Sequence, residues 1–201
     1  MRLATVSYKN RPLLVAALDD DRLLDLHAAA KHAGQDEADF TSMQSLIDAG
    51  QKGLDIARGL VNHPQQSATI ALADVTFLPP IMPVQYRDCL VFEDHLTNCF
   101  KVMEEATGRK HEVPDVWYQQ PIYYKGNRMS FIGHGTDVQW PNYAEHLDIE
   151  LELAIVVGKT GKNIKADQPH LRLYHPERYV RAGCANGRNA RPAWSLQRQG
   201  F

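Results

Sequence analysis

The residues with the clearest chemistry in this 201-residue chain lie between His146 and Gly158, where acidic and apolar side chains alternate in the sequence HLDIELELAIVVG. Successive side chains of a β-strand point to opposite faces, so Asp148, Glu150 and Glu152 should share one face. Three carboxylates on one strand face repel one another unless water or a cation separates them. The pattern therefore predicts a strand that carries ligands for a divalent metal.

A second set of candidate residues lies in the segment PVQYRDCLVFEDHLTNCF, in which Asp88 precedes His95 by seven positions. Seven residues are close to two helical turns, so the two side chains would share a helix face if Asp88 lay at the start of the helix. Asp88 alone is equally consistent with a helix N-cap, and a lone histidine is more often a partly buried structural residue than a catalyst. Taken together, the two residues would place a metal-binding acid near a base.

Composition narrows the class of protein. With 201 residues, of which 44% are hydrophobic, the chain can bury a core and fits one domain plus a smaller module. A net charge of −2 gives no general reason to expect a nucleic-acid partner, and the apolar runs are too short to cross a bilayer. The start MRLATVSYKN lacks the features of a signal peptide, which predicts a cytoplasmic protein. The three cysteines are predicted to be reduced thiols.

Residues 1–72 are predicted to form a small β/α module without catalytic residues. MRLATVSY and RPLLVAALD are typical of two strands of a hairpin, with Lys9–Asn10 as a polar turn. Apolar residues recur at helical spacing from Leu23 to Ala33 and from Thr41 to Val61. The second predicted helix has an amphipathic face formed by Leu46, Ile47, Leu54, Ile56 and Leu60.

Pro-rich sequence separates this module from the rest of the chain. The run LPPIMP at residues 78–83 should be stiff and extended, which predicts a connector over residues 73–85. Residues 86–201 would then form a partial catalytic domain. Within it, residues 171–193 are atypical because they contain five arginines, one glutamate and no sustained period of strand or helix.

The motifs between residues 79 and 165 resemble, in their order, the catalytic domain of the fumarylacetoacetate hydrolase family. The resemblance rests on YRD followed by a histidine, on a YYKGN turn and a GHGTD turn, and on the acidic strand. It implies an α+β fold in which a small N-terminal module precedes a mixed β-roll, here partial, and it implies a homodimer. It also implies Mg²⁺ as cofactor, with Ca²⁺ or Mn²⁺ as alternatives, and a small 2-oxo or 1,3-dioxo acid as substrate.

The resemblance assigns roles to four residues of the expected metal site. Asp88, Glu150 and Glu152 match the family's metal carboxylates, and His95 matches the histidine that activates a water molecule. A hard dication prefers such oxygen ligands and would stabilise the enolate released when the C–C bond breaks. Histidine can accept the proton because its unperturbed pKa is about 6.5.

The resemblance places Tyr124 and Lys125 in the turn that contacts substrate. Tyr124 is equally consistent with a packing aromatic residue, and Lys125 with a solvated side chain. Asp148 is expected at the rim of the metal site rather than on the metal. His134 is expected to be a turn residue.

The resemblance stops at Leu171. The family continues with a strand of the type YGYT and a motif N-D-x-S-A-R-D, whose first aspartate completes the metal site, whereas this chain reads LRLYHPERYVRAGCANGRNARPA. With a suitable choice of synonymous codons, the same nucleotides read one position later encode YGYTILNDTSARDAQTAGMPG. We therefore hypothesise a frameshift that begins near His170 and is reversed near residues 192–194.

The predicted function is hydrolysis of a C–C bond in a small dioxo acid, by a histidine-activated water and a metal-stabilised enolate, in aromatic catabolism. Because one family acid and the later family strands are missing before Phe201, weak Mg²⁺ binding and little activity are expected of this polypeptide. One alternative is an inactive truncated product of gene decay. The other is an isomerase or decarboxylase of the same family. Neither a membrane nor a nucleic-acid partner is expected.

Overall fold

The computed structural model describes residues 1–144, 146–158, 160–165 and 178–185, and these fall into two compact units. The first unit contains residues Met1–Met82, Ile132–Asp137 and the stretch that begins at Leu153. The second contains Pro83–Phe131, Val138–Glu152 and the strand that begins at Arg178. Both units combine helices with strands, so the fold is mixed α+β, as predicted.

The first unit is built on a five-stranded antiparallel sheet with the strand order β4-β3-β2-β1-β5. Two α-helices and three short 3-10 turns complete it. In chain order its regular elements are β1 (Leu3–Tyr8), β2 (Arg11–Ala17), β3 (Arg22–Asp25), α1 (Leu26–His32), α2 (Met43–Asn62), β4 (Thr69–Ala71) and β5 (Thr76–Phe77).

The predicted hairpin is confirmed. Strands β1 and β2 pair from Leu3↔Ala16 to Tyr8↔Arg11, with Lys9 and Asn10 as the two loop residues. Both have positive φ, 49° and 61°, which is the backbone conformation that a two-residue type I′ hairpin turn requires.

The helix predicted from Leu23 to Ala33 is wrong over its first residues. Strand β3 occupies Arg22–Asp25, and α1 begins only at Leu26, after the Asp25 carboxylate accepts a hydrogen bond of 3.0 Å from the Ala28 amide. Leu23 and Leu24 are both buried and belong to different hydrophobic clusters. Because the strand is covered on both faces, its apolar residues do not alternate with polar ones, and a short run of this kind cannot be told from a helix by periodicity.

Helix α2 confirms the amphipathic face predicted between Thr41 and Val61. Ser42 caps its N terminus by accepting a hydrogen bond of 3.1 Å from the Ser45 amide. The residues of the predicted face differ in burial. Leu46, Ile47 and Leu60 are buried, whereas Leu54 and Ile56 are half-buried. Leu46 and Leu60 belong to a hydrophobic cluster of sheet and helix residues, and Leu54 and Ile56 pack against it.

Gly50 interrupts α2 with φ 64° and ψ −140°, a conformation open only to glycine. We expect Gly50→Ala to lower the free energy of unfolding by about 1–3 kcal/mol, because a Cβ strains this backbone. The matched control is Gly59→Ala on the same helix, where a Cβ meets no atom within 4 Å. That control should leave stability unchanged or raise it by about 0.5–1 kcal/mol. Urea unfolding of the full chain measures both, and equal effects of the two substitutions would contradict the assignment of strain to Gly50.

The segment predicted as a connector contributes to the first unit. Strand β5 pairs with β1, the Leu78 amide donates to the Thr5 carbonyl at 2.9 Å, and the Thr5 hydroxyl donates to the Pro80 carbonyl at 2.7 Å. The change from the first unit to the second falls between Met82 and Pro83, inside residues 73–85. The division of the chain into three segments at residues 72 and 85 stays a prediction.

The second unit contains shorter elements. They are β6 (Asp88–Cys89), α3 (Glu93–Thr107), α4 (Asp115–Gln119), β7 (Tyr123–Tyr124), β8 (His146–Leu153) and β9 (Arg178–Ala185). Strands β6 and β7 form one antiparallel pair, and β8 and β9 form a second two-stranded sheet. The acidic strand predicted from sequence is therefore confirmed as β8, while the complete β-roll stays a prediction.

Strand β9 lies inside residues 171–193, for which no strand period was predicted. Residues 178–185, RYVRAGCA, nevertheless form a strand that pairs with β8. Backbone hydrogen bonds to a neighbouring strand stabilise a strand even where the side chains do not alternate. The remainder of 171–193 lies outside the described residues. Among the helices that are described, none combines the length and the apolar character that a membrane span requires.

Candidate functional site

Asp88 and Tyr124 face each other across the short antiparallel pair β6–β7. Their Cα positions are directly paired, as are those of Cys89 and Tyr123, and both Asp88 and Tyr124 are half-buried. The structure thus brings a predicted metal ligand next to a predicted substrate residue. Asp88 is not the N-cap of a helix, since α3 begins five residues later, after Phe92.

His95 lies in the first turn of α3 and is exposed. Asp88 is on a strand, so the two residues do not share a helix face as the seven-residue spacing suggested. The His95 Nε2 atom lies 3.7 Å from the Cys99 sulfur, one helical turn further along α3. His95 therefore has a neighbour on its own helix and is not the partly buried structural residue that its type favours.

The Tyr124–Lys125 turn is shaped by the glycine that follows it. A Cβ on Gly126 would collide with the Tyr86 ring, and this ring packs edge-on against Phe131 with 5.1 Å between centroids. Only glycine allows so close an approach of backbone to ring. Lys125 is exposed, so a cationic group is available to solvent beside the half-buried Tyr124.

Strand β8 carries the two predicted glutamate ligands, at positions two apart, and such positions share a strand face. Glu152 is half-buried, while the Glu150 and Asp148 side chains lie outside the described part of the chain. Within that part, no three His, Cys, Asp or Glu side chains come together as a metal site requires. The joining of Asp88, Glu150 and Glu152 at one ion is therefore a proposal.

His134 is a turn residue, as predicted. The Thr136 amide donates to the Gly133 carbonyl at 3.2 Å, and Gly135 has φ 76°, which suits the third position of a type II turn. A Cβ on Gly133 would collide with the Phe77 carbonyl, and the His134 ring packs edge-on against Phe77 at 5.5 Å between centroids. The GHGTD motif thus packs on strand β5 of the first unit.

Sequence reasoning missed two residues of α4 that contact the segment between Asp88 and His95. The Trp117 indole N–H donates to the Leu90 carbonyl at 2.9 Å, and the Tyr118 hydroxyl donates to the Glu93 carboxylate at 2.5 Å. The carboxylate, which accepts this hydrogen bond, raises the pKa of Tyr118, and burial and negative charge raise it further. The only feature of the sequence that could have indicated these residues is the occurrence of two adjacent large aromatic residues in the short segment DVWYQ.

Comparison with known proteins adds to this geometry. Residues 90–170 match the family model described as "Fumarylacetoacetate (FAA) hydrolase C-terminal". The matched range includes His95, Tyr124 and Lys125 together with strand β8, and it begins two residues after Asp88. Over these residues the chain is similar to the C-terminal domain of the fumarylacetoacetate hydrolase family. The match ends at residue 170, immediately before the segment in which the sequence departs from the family pattern.

Most of the curated proteins that match the chain are named oxaloacetate tautomerases. Oxaloacetate tautomerase YisK of Bacillus subtilis is 25% identical over 181 residues, which are 87% of this chain and 57% of that protein. The human mitochondrial oxaloacetate tautomerase FAHD2A is 26% identical over 159 residues, which are 79% of this chain and 44% of that protein. The chain thus spans about half the length of these relatives.

Members of the family use divalent metals, and the donor chemistry of this chain fits one. Asp88 and Glu152 are half-buried carboxylates, and Glu150 is a third carboxylate position on β8. Oxygen donors of this type suit Mg²⁺, Ca²⁺ or Mn²⁺, whereas a zinc site would call for histidine or cysteine in the set.

Proposed function

We propose that this chain is a metal-dependent isomerase that interconverts the keto and enol forms of a small 2-oxo acid of the oxaloacetate type. The observation that carries the proposal is the match to tautomerases of this family, in YisK over 87% of the chain. The described geometry is compatible with it, because the half-buried Asp88 and Tyr124 lie opposite each other in β6–β7, next to the exposed Lys125, and the exposed His95 lies in the first turn of α3.

The reaction moves one proton between carbon and oxygen and consumes no water. In the ketonising direction, the enol hydroxyl of the substrate loses its proton and the neighbouring carbon gains one. His95 is the proposed acid–base residue, since imidazole exchanges protons near neutral pH. A bound divalent cation would supply Lewis-acid stabilisation of the negative charge that develops on the substrate oxygens.

Lys125 and Tyr124 are proposed to bind the substrate. The exposed ammonium group of Lys125 suits a carboxylate of a small diacid, and the phenol of Tyr124 can donate a hydrogen bond to the same molecule. Tyr124 lies opposite Asp88 in the β6–β7 pair, so a substrate that contacts Tyr124 would be near this proposed metal ligand. Asp88, Glu150 and Glu152 would hold the metal.

Hydrolysis of a C–C bond, which the sequence alone favoured, is the second candidate. The description of the matching family model favours it, while the tautomerase relatives favour the isomerase alternative. Both reactions pass through an enolate, but hydrolysis also needs a water molecule placed to attack a carbonyl carbon. Isomerisation requires only the proton transfer and does not require a positioned water molecule.

The two functions are separated by their products. Purified protein with Mg²⁺ is incubated with oxaloacetate and with an acylpyruvate, each labelled with ¹³C, and the products are followed by NMR. The proposal predicts faster enol-to-keto conversion of oxaloacetate than in buffer with Mg²⁺ alone, no loss of CO₂ from oxaloacetate beyond that control, and an intact acylpyruvate. Cleavage of the acylpyruvate into two acids would reject the isomerase in favour of the hydrolase.

A homodimer remains part of the proposal and follows from the resemblance. Relatives of the chain include proteins named as mitochondrial. A role in aromatic catabolism is tied to the hydrolase alternative. An isomerase would instead act on a small oxo diacid.

A further inference from the structure

Asp88 on β6 and His95 on α3 are separated by a short link, residues 90–92, that belongs to no helix or strand. Val91 and Phe92 within this segment are 59% and 72% exposed, so burial does not hold it. Phe92 occupies the N-cap position of α3 but provides no side-chain hydrogen bond. The proposed metal ligand and the proposed base therefore depend on contacts from elsewhere for their spacing.

Helix α4 supplies two such contacts. Trp117 donates its indole N–H to the carbonyl of Leu90, two residues after Asp88, at 2.9 Å. Tyr118 donates its hydroxyl to the carboxylate of Glu93, two residues before His95, at 2.5 Å. The two rings pack edge-on at 4.9 Å between centroids, so the donors are braced against each other.

We propose that Trp117 and Tyr118 are positioning residues that set the spacing of Asp88 and His95. This inference rests on the proposed function, in which those two residues bind the metal and move the proton. The Leu90 amide also donates to the Ile122 carbonyl at 3.0 Å, so this residue is tied to the β7 side of the unit as well as to α4. The segment is thus held at its two ends, close to each functional residue.

The chemistry of the Tyr118 contact supports a geometric role. Its acceptor is a carboxylate, and hydrogen bonds to an ionised group are shorter and stronger than neutral ones. The Glu93 carboxylate raises the pKa of Tyr118, which favours the protonated form of the phenol that donates the hydrogen bond. The Tyr118 side chain is 60% exposed, so removing its hydroxyl should cost little global stability while freeing the backbone next to His95.

The chain provides matched controls for both contacts. Trp140 donates its indole N–H to the Ala144 carbonyl at 2.7 Å, a bond of the same kind in the same unit that lies outside residues 88–95. Tyr143 is 56% exposed, close to the exposure of Tyr118. Trp140→Phe and Tyr143→Phe therefore make the same chemical changes as Trp117→Phe and Tyr118→Phe.

Steady-state tautomerase kinetics with Mg²⁺ test the positioning role. Trp117→Phe and Tyr118→Phe should each lower kcat about tenfold with KM changed by less than about twofold, because misplaced groups slow proton transfer without removing a substrate contact. Both control variants should keep kcat within about twofold. Glu93→Gln retains an oxygen acceptor and should stay closer to wild type than Glu93→Ala. Equal losses of kcat in the Trp117 and Trp140 variants would overturn the proposal.

Hydrogen exchange of the full chain tests the same contacts without relying on activity. Amides of residues 89–95 should exchange faster in Trp117→Phe and Tyr118→Phe than in wild type. Their exchange rates should be unchanged in the two control variants. Uniform exchange in all variants would overturn the inference even if the chain is a tautomerase. Selective exchange in a protein with no tautomerase activity would instead reject the proposed function and leave the role of α4 in holding this segment intact.

Discussion

Glu152→Gln should lower the proposed Mg²⁺-dependent tautomerase activity by on the order of 10²- to 10³-fold, because it replaces a proposed charged metal ligand with a neutral amide of the same shape. The apparent affinity for Mg²⁺ should fall in the same variant, since hard dications bind more tightly as the number of charged oxygen ligands rises. Steady-state rates over a Mg²⁺ titration measure both effects.

The control for this prediction is Asp148→Asn, which removes one negative charge from a position four residues away on the same strand, β8. Because Asp148 is proposed to lie at the rim of the site, its variant should remain within about twofold of wild type. Similar losses of activity in both variants would mean that the total negative charge of this strand, and not metal ligation by Glu152, determines the rate.

Restoring the family reading frame over residues 171–193 should raise Mg²⁺ affinity and activity together, by on the order of 10²-fold. The physical reason is that the recovered segment carries N-D-x-S-A-R-D, whose first aspartate would add a fourth carboxylate to Asp88, Glu150 and Glu152. The end of the family match at residue 170 supports the frameshift hypothesis, since the family pattern stops where the hypothesis places the shift.

Sequencing the gene across codons 165–201 checks the premise of this prediction. Codons that yield YGYTILNDTSARD when read one nucleotide later would support the hypothesis, and codons that cannot do so would remove it. Comparison of the present and the restored protein in one Mg²⁺ titration then measures the effect. Equal Mg²⁺ affinity and equal activity of the two proteins would contradict the role assigned to the recovered aspartate. Gene decay would then be the alternative explanation of the original segment.

Local signals of the sequence were sufficient for part of the fold. The hairpin follows from Lys9 and Asn10, which tolerate the positive φ that a two-residue turn imposes. Helix α2 follows from a helical repeat longer than any strand, together with the Ser42 cap. Strand β8 follows from strict alternation over the acidic residues.

Other elements depend on tertiary contacts that no local pattern reveals. Leu23 and Leu24 form a strand because the sheet is covered on both faces, and a pattern of period two is absent when both faces are apolar. Strand β9 was missed because it depends on pairing with β8. The position of Asp88 outside α3 could not be derived from its spacing to His95, because it depends on the strand pair with Tyr124.

The candidate site divides in the same way. Asp88, His95, Tyr124 and the β8 glutamates were identified by motif, and the structure places the first of these opposite Tyr124. Trp117 and Tyr118 could not be identified, because their relation to Asp88 and His95 arises from the packing of α4 and not from sequence spacing. Residues that act through other residues leave no motif of their own.

The central claim, that this site transfers a proton on a small 2-oxo acid, is tested most directly by the rate at which enol oxaloacetate disappears in a stopped-flow spectrometer. The account predicts a rate above the Mg²⁺ background that is lost on chelation with EDTA and falls by about 10²- to 10⁴-fold in His95→Asn. A rate equal to the background, or a rate that is the same in wild type and His95→Asn, would contradict it.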